Sequence, residues 1–99
     1  MEFEWDEDKN RSNKLKHGIS FEAAIEIFDD PFELTEFDQF VDGEERWKTL
    51  GAWQHGWSVL VVVHVERDRA DALTVRIISA RAANKDERKR YERNRRKDR

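Results

Sequence analysis

The chain has 99 residues, of which 41% are charged and none is cysteine, and its net charge is −3. This length suits one domain with one modest core, and the lack of cysteine excludes disulfides and thiolate metal sites. The N-terminal residues do not resemble a signal peptide and no apolar run approaches membrane-spanning length, so we expect a cytoplasmic protein without a membrane segment.

Charge is distributed unevenly along the chain. Residues 21–48 contain ten acidic and two basic residues, net −8, whereas residues 76–99 contain eleven basic and four acidic residues, net +7. Such asymmetry favours a basic C-terminal end that meets a polyanion while the acidic part faces elsewhere. The competing interpretation is a solvated surface, because so much of the chain is charged.

A short edge strand over residues 2–5 and two helices are predicted at the start of the chain. Asp6 is a suitable N-cap for the first helix, which runs to about His17 and ends at Gly18. Ser20 caps a second helix, whose apolar residues recur at helical spacing and which ends at the single proline of the chain.

Two strands are predicted next. Residues 33–40 alternate between polar and apolar side chains, and their acids are typical of an edge strand that avoids pairing with other chains. The dipeptide Asp42-Gly43 predicts a turn, and residues 46–54 form the next strand. His55-Gly56 predicts a tight turn into the strand that follows.

The most apolar part of the chain, residues 57–81, predicts an antiparallel hairpin. Its two β-branched runs, residues 59–65 and 73–81, have strand length, and a short polar turn joins them. Matching apolar residues across the hairpin defines a valine face, which carries Val59, Val61, Val63 and Val65. The same register predicts three more residues on the valine face: Leu73, Val75 and Ile77. It predicts a polar set on the opposite face: His64, Glu66, Thr74 and Arg76.

The strand before the hairpin extends this arrangement. A two-residue turn at its end aligns Trp47 with His64 and Leu50 with Val61. Leu50 therefore joins the valine face, whereas Glu45 and Trp47 join the face of His64. The polar face thus gains an aromatic ring and a second carboxylate.

A polar helix is predicted at the C-terminus, from Lys85 to about Arg96. Asn84 is a suitable N-cap, with Glu87 at the third helical position as in a capping box. Tyr91 is the only large apolar residue, so we expect the helix to be held weakly by its own domain.

The predicted order is β-α-α-β-β-β-β-α. It corresponds to a single α+β domain over residues 1–99, with an antiparallel sheet covered by helices on its valine face. Residues 92–99 form a basic tail that frays at its end.

Several segments, in one order along nearly the whole chain, carry a family resemblance: Trp5-Asp6, Lys16 to Ala24, Asp30-Pro31, Glu45-Arg46, His64 to Arg67, Arg76 to Arg81, and Glu87-Arg88 with Tyr91. They resemble the BrnT toxin family. The resemblance implies a RelE-like fold and a ribonuclease that cuts RNA and arrests translation. It also implies neutralisation by a BrnA antitoxin, encoded next to the toxin, in an oligomeric complex that binds DNA through the antitoxin. The basic run 93–97 departs from the family pattern.

RNA cleavage without a metal needs a base for the 2′-hydroxyl proton, cations for the phosphorane and an acid for the 5′-oxygen. Either Glu66 or His64 is the candidate base. Arg67, Arg76 and Arg81 are candidate phosphate clamps, because a guanidinium binds phosphate through two hydrogen bonds. No spacing of His, Asp and Glu resembles a metal site, so we expect neither a metal nor a cofactor.

Further contacts with RNA are expected from Lys16, His17, Arg46 and Trp47, with Trp47 stacking on a base. His17 has a second interpretation, as a positive charge at the C-terminal end of its helix. Antitoxin contacts are expected from the last helix, through Lys85, Arg88 and Tyr91.

Two other interpretations stay open at this stage. Each charged residue can have a purely structural role, in an ion pair with its neighbour, as Glu66 and Arg76 would in a cross-strand pair. The chain can also be a binding module without catalysis, whose basic C-terminal helix docks a protein or nucleic acid, or a scaffold that makes no contact with RNA. The overall negative charge argues mildly against a free-standing nucleic-acid binder.

Overall fold

The computed structural model describes residues 1–54, 58–69 and 72–97. Its elements are β1 (Glu2–Glu4), α1 (Glu7–His17), α2 (Phe21–Ala24), a 3-10 helix (Ile25–Asp29), β2 (Leu34–Val41), β3 (Glu44–Trp53), β4 (Ser58–Arg69), β5 (Ala72–Ala82) and α3 (Lys85–Lys97). The α+β class and the order of elements are confirmed, with the 3-10 helix continuing α2. Within the described residues, no helix is long and apolar enough to cross a membrane. The predicted turn at His55-Gly56 lies outside them.

Local sequence signals set the bounds of α1 as predicted. The carboxylate of Asp6 accepts hydrogen bonds from the backbone N–H groups of Asp8 and Lys9. Gly18 adopts a left-handed conformation, with φ of 75°, and donates its N–H to the carbonyl of Lys14. Glycine adopts that conformation without a steric cost, so the helix ends there.

Two buried asparagines fasten α1 to the rest of the domain, although the helix is almost wholly polar. The Asn13 amide donates to the carbonyls of Ile19 at 2.9 Å and Ala80 at 2.8 Å, and its oxygen accepts from the Ala80 N–H at 3.1 Å. The oxygen of Asn10 accepts from the N–H of Phe21 at 2.8 Å. These bonds satisfy backbone groups at the outer edge of β5 and at the start of α2.

The five strands form one sheet in the order β1-β5-β4-β3-β2. β1 runs parallel to β5, whereas the other neighbours are antiparallel. The sheet is therefore mixed, and the prediction of an antiparallel sheet is wrong for β1. Two helices connect β1 to β2, and this long connection lets the chain cross the sheet. β1 therefore lies at one margin, beside β5, and β2 lies at the other.

The register of β4 is confirmed on one side and wrong on the other. Against β3, Trp47 pairs with His64 and Leu50 with Val61, as predicted. Against β5, the register shifts by one residue between Val63 and His64, because Ile78 of β5 is left unpaired as a bulge, so that Val65 pairs with Arg76. Thr74 and Arg76 therefore lie on the valine face, whereas Val75 and Ile77 lie with His64.

Helices cover both faces of the sheet, which explains why apolar matching chose the wrong register for β5. On the face of His64, α1, α2 and the 3-10 helix bury a core that includes Phe21, Ile27, Leu60, Val62 and Ile77. On the valine face, α3 covers a smaller core of Leu50, Val61, Ala83 and Tyr91. The prediction that the helices lie on the valine face holds only for α3. When both faces bury apolar side chains, alternation no longer distinguishes one register from the next.

The last helix is held firmly, mainly by polar contacts. Tyr91 is 1% exposed and its hydroxyl donates a hydrogen bond to Asp30. Arg90 makes two hydrogen bonds to the carboxylate of Glu36, at 2.9 and 3.0 Å. The expectation of a weakly held helix is therefore wrong, because one buried tyrosine and several ion pairs replace an apolar stripe.

Candidate active site

The corrected register brings the three predicted phosphate clamps together. Arg67, Arg76 and Arg81 pair with Thr74, Val65 and Val61, respectively, and all three arginines therefore lie on the valine face. The alternation of the predicted strands already puts Arg67 and Arg81 on this face, two residues beyond Val65 and four beyond Ile77, whereas it puts Arg76 on the other face. The bulge at Ile78 of β5 is the feature that puts Arg76 on the same face as the other two.

A row of three side chains crosses the centre of this face. Trp47 pairs with His64, and continuing that register by one residue puts Arg46 beside Val65, whose other neighbour is Arg76. Neighbouring strands lie about 4.8 Å apart, so the backbones of Arg46 and Arg76 are about 10 Å apart. Side chains of this length can reach one phosphate group from both sides of Val65.

Two nearby cations, Arg81 and Lys48, are already paired with Glu87 of α3. Arg81 donates to both carboxylate oxygens of Glu87, at 2.7 and 3.0 Å, and Lys48 donates at 3.4 Å. The hydrogen bond from Arg81, together with those from the Asn84 N–H and Lys48, lowers the pKa of Glu87 to about 2. Glu87 in turn completes the predicted capping box, because its N–H donates to Asn84 at 2.8 Å.

Arg46 and Arg76 differ from these neighbours. Arg67 is paired with Glu44 at 2.9 Å. Within the described part of the chain, neither Arg46 nor Arg76 has an ion-pair partner, and the Nε atom of Arg46 is buried without a hydrogen bond. These two guanidinium groups are the ones that an incoming anion can bind without displacing a carboxylate.

The opposite face holds His64, which is fully buried. Its Nε2 atom lies 2.8 Å from the hydroxyl of Thr49, and its ring packs against the edge of Phe28. Burial lowers the pKa of His64 to about 4, so the ring is neutral at pH 7. In this conformation the ring does not reach solvent, and its predicted role as a base would have to act through a neighbour.

Glu66 lies on the same face as His64, with its Oε1 atom 4.0 Å from His64 Nδ1. It lines a cleft of about 240 Å³ together with Glu45, Trp47 and Leu73. The predicted grouping of Glu45 and Trp47 with His64 and Glu66 is therefore confirmed. The predicted neighbourhood of Glu66 and Arg76 is wrong, because the sheet separates them, and so is their cross-strand ion pair.

The remaining predicted residues lie at the periphery. Lys16 and His17 line a groove of about 350 Å³ between α1 and β5, which also includes Ser79 of the valine face. His17 is exposed, and it is the imidazole that solvent reaches among the described residues. Lys85 and Arg88 are exposed on α3.

Sequence reasoning missed two residues of this surface, Lys48 and Glu87. Lys48 lies two residues after Arg46, and the period of a strand would have placed both on one face. Glu87 was recognised as a helix-capping residue, and nothing in its capping motif indicates that its carboxylate also reaches Arg81.

The fold and the site define a small α+β domain whose partly open sheet face carries a group of arginines. Residues 5–87 match the family described as ribonuclease toxin, BrnT, of type II toxin-antitoxin system. The chain belongs to this family. A search among curated proteins found no match.

Proposed function

We propose that the chain is an endoribonuclease toxin that binds RNA across the valine face and cuts it without a metal ion. The observation that carries the proposal is the row of Arg46, Val65 and Arg76, in which two arginines that have no ion-pair partner among the described residues flank an apolar side chain. Guanidinium groups bind phosphate through paired, charge-assisted hydrogen bonds, and they keep their charge at every physiological pH.

In the proposed reaction the 2′-oxygen attacks the adjacent phosphorus while the bond from phosphorus to the 5′-oxygen breaks. The 2′-hydroxyl loses its proton to a base, and the departing 5′-oxygen gains one. The products are a 2′,3′-cyclic phosphate and a 5′-hydroxyl. Arg46 and Arg76 stabilise the charge that develops on the phosphorane oxygens, which is commonly the largest single contribution of an enzyme. Glu66 and His64, the residues predicted for the proton transfers, lie across the sheet from this phosphate.

The groove beside α1 supports a path for the RNA strand. Ser79 belongs to β5, as Arg76 does, and it also lines the groove that contains Lys16 and His17. Phosphates that follow the one bound by Arg76 would meet these two side chains. Trp47, predicted as a stacking platform, lies on the opposite face of the sheet.

The experiment uses the purified full-length chain and a mixed-sequence RNA, with excess EDTA in one arm. We expect cleavage in both arms and fragments that end in 2′,3′-cyclic phosphate. Loss of cleavage in EDTA, reversed by added Mg²⁺, would contradict the metal-free route. RNA that is bound but left intact, also when translating ribosomes are present, would favour the binding module instead.

In the cell, the proposal places the protein in the cytoplasm, where it arrests translation until an antitoxin of the BrnA type binds it. The RelE-like character of the fold belongs to the same proposal, as does an oligomeric toxin–antitoxin complex that binds DNA through the antitoxin. Expression of the chain alone should stop incorporation of labelled amino acids in a bacterial host, and co-expression of the neighbouring antitoxin gene should restore it. Unchanged protein synthesis in the presence of folded, soluble protein would contradict the toxin function.

A further inference from the structure

An acidic and aromatic cleft lies on the sheet face opposite the valine face. It is the cleft of about 240 Å³ lined by Glu45, Trp47, Glu66 and Leu73, called the acidic cleft below. Glu45 and Glu66 are exposed, and within the described residues neither carboxylate has a lysine or arginine partner. Two carboxylates that share a small cleft without a cation repel each other and favour a ligand that brings positive charge.

A buried nitrogen atom without a partner points to the same kind of ligand. Nδ1 of His64 is buried, has no hydrogen bond, and lies 4.0 Å from the Glu66 carboxylate in the wall of the acidic cleft. An unsatisfied polar atom of this kind is costly in a folded protein unless a ligand or solvent completes its hydrogen bonds. His64 itself does not line the cleft, so a ligand with several N–H donors would bind Glu45 and Glu66 there and meet the imidazole only through Glu66.

Exposed aromatic rings border the acidic cleft. Phe37 is 52% exposed and Phe40 is 63% exposed, and their strand partners are Trp47 and Glu45, so all four side chains share this face. The rings of Phe37 and Trp47 lie edge to face at 5.6 Å. A patch of large exposed apolar side chains beside a polar cleft is typical of a protein interaction site.

The surrounding charge selects the occupant. The two carboxylates of the acidic cleft, Glu45 and Glu66, would repel the phosphates of RNA. Among the described residues, no three His, Asp or Glu side chains come together as metal ligands. A guanidinium group fits both features of the site, because it pairs with carboxylates and stacks on an aromatic ring such as Trp47.

We propose that the acidic cleft docks an arginine-bearing segment of a protein partner, with the exposed phenylalanines receiving apolar side chains of the same segment. The surface lies across the sheet from the arginines of the valine face and from α3. A partner can therefore occupy it while RNA or another segment occupies the valine face. The proposal goes beyond RNA cleavage and does not depend on it.

The test titrates the full-length chain with a ten-residue peptide, blocked at both ends, in which arginine and leucine alternate. Backbone amide signals report the site of binding, and calorimetry reports the affinity. We expect saturable binding that shifts the signals of Glu45, Trp47 and Phe40. A matched peptide with citrulline in place of arginine keeps the shape but loses the charge, and it should not bind.

Two variants with the same change of charge make the test specific. Glu45→Lys replaces an attraction by a repulsion inside the acidic cleft, and it should weaken peptide binding about tenfold. Glu2→Lys makes the same change on β1, at the other side of the sheet, and should leave binding unchanged. Both variants are first checked for an unaltered melting temperature.

Some results would overturn the proposal. One such result is that the Glu45→Lys variant binds the arginine peptide as tightly as the parent protein does. Another is that the citrulline peptide binds the parent protein as tightly as the arginine peptide does. Shifts of the Glu45 and Trp47 signals by an RNA oligonucleotide or by Mn²⁺, in the absence of any response to the arginine peptide, would assign the cleft to another ligand. Repeating the titration with Arg76→Gln separates the two proposals, because that variant should lose cleavage and keep peptide binding.

Discussion

Arginines on one sheet face differ in function according to the partners that they already have. Arg81 is tied to Glu87 by two hydrogen bonds, and these contacts raise the pKa of the Arg81 guanidinium. Arg76 has no such partner among the described residues. A paired arginine stabilises the fold, whereas an unpaired one on an open face is available to a ligand. The same residue type therefore supports different predictions at two positions of β5.

The first prediction concerns Arg76→Gln. It should reduce RNA cleavage by on the order of 10²- to 10³-fold, the usual cost of removing one preorganised contact to a developing charge. Thermal stability should change little, because no ion pair to a described residue is lost. The measurement compares the cleavage rate and the melting temperature of this variant with those of Arg93→Gln. Arg93→Gln is a matched change at an exposed position of α3. Parallel loss of stability and activity would make Arg76 a structural residue.

The second prediction concerns His64 and pH. Burial lowers the pKa of His64 from 6.5 to about 4, so folding favours the neutral ring. The resulting stabilisation is fully present above pH 6.5 and is lost as the pH falls from 6.5 to about 4, because the unfolded chain binds the proton first. The free energy of unfolding should therefore fall less steeply across this window in His64→Gln than in the parent protein. His17→Gln, at an exposed position, should keep the parental slope.

At the scale of elements, the sequence predicted those parts of the fold that local chemistry determines. Asp6 and Gly18 define α1 because capping groups act within one turn of the helix. The pairing of β3 with β4 was predicted because a short turn determines the register. The pairing of β4 with β5 was not predicted, because helices cover both faces of the sheet and alternation then gives no sign of the bulge at Ile78.

The candidate site was only partly predictable for the same reason. The residue types were recognised from their chemistry and from the family resemblance, but their grouping depended on the register of β5. A shift of one residue moved Arg76 away from Glu66 and brought it to Arg46. The contact between α3 and β5 was also beyond sequence reasoning, because the ion pair of Glu87 with Arg81 joins two elements through long side chains.

The third prediction tests how that ion pair holds α3. The hydrogen bond from Arg81 lowers the pKa of the Glu87 carboxyl from 4.5 to about 2, so its stabilising effect is fully present above pH 4.5 and is lost as the pH falls toward 2. Glu87→Gln should be less stable than the parent protein at neutral pH, by about 1 kcal/mol, because the half-buried guanidinium of Arg81 is left with a poorer acceptor. Urea unfolding at a series of pH values should show this difference shrinking below pH 4.5. The exposed variant Glu92→Gln serves as the control, and a difference that is independent of pH would contradict the prediction.

At the scale of the whole molecule, charge is divided between segments of the chain: residues 21–48 carry −8 and residues 76–99 carry +7. The fold brings these segments together on the valine side, where Glu36 pairs with Arg90. The acidic cleft on the other face keeps its two carboxylates without a lysine or arginine partner among the described residues. A partner that neutralises the toxin therefore meets different chemistry on each side.

The fourth prediction concerns the antitoxin complex. Lys85 and Arg88 are exposed, and an acidic antitoxin segment that pairs with them should bind more weakly as salt rises. Hydrogen exchange of the free chain and of the complex should show added protection over residues 85–97. Because Tyr91 is buried in the free protein, its own packing should not change on binding. Unchanged exchange over residues 85–97 in a saturated complex would place the antitoxin elsewhere.

The asparagine that fastens α1 also limits how copies of the protein can associate. On the outer side of β5, β1 has only three residues, and the Asn13 side chain occupies the N–H and the carbonyl of Ala80 beyond it. A strand from another molecule finds few free backbone groups on that side, whereas β2 forms the other margin of the sheet. Strand-to-strand association is thus restricted to one margin per molecule, so it can close a two-fold pair but cannot propagate into a fibre.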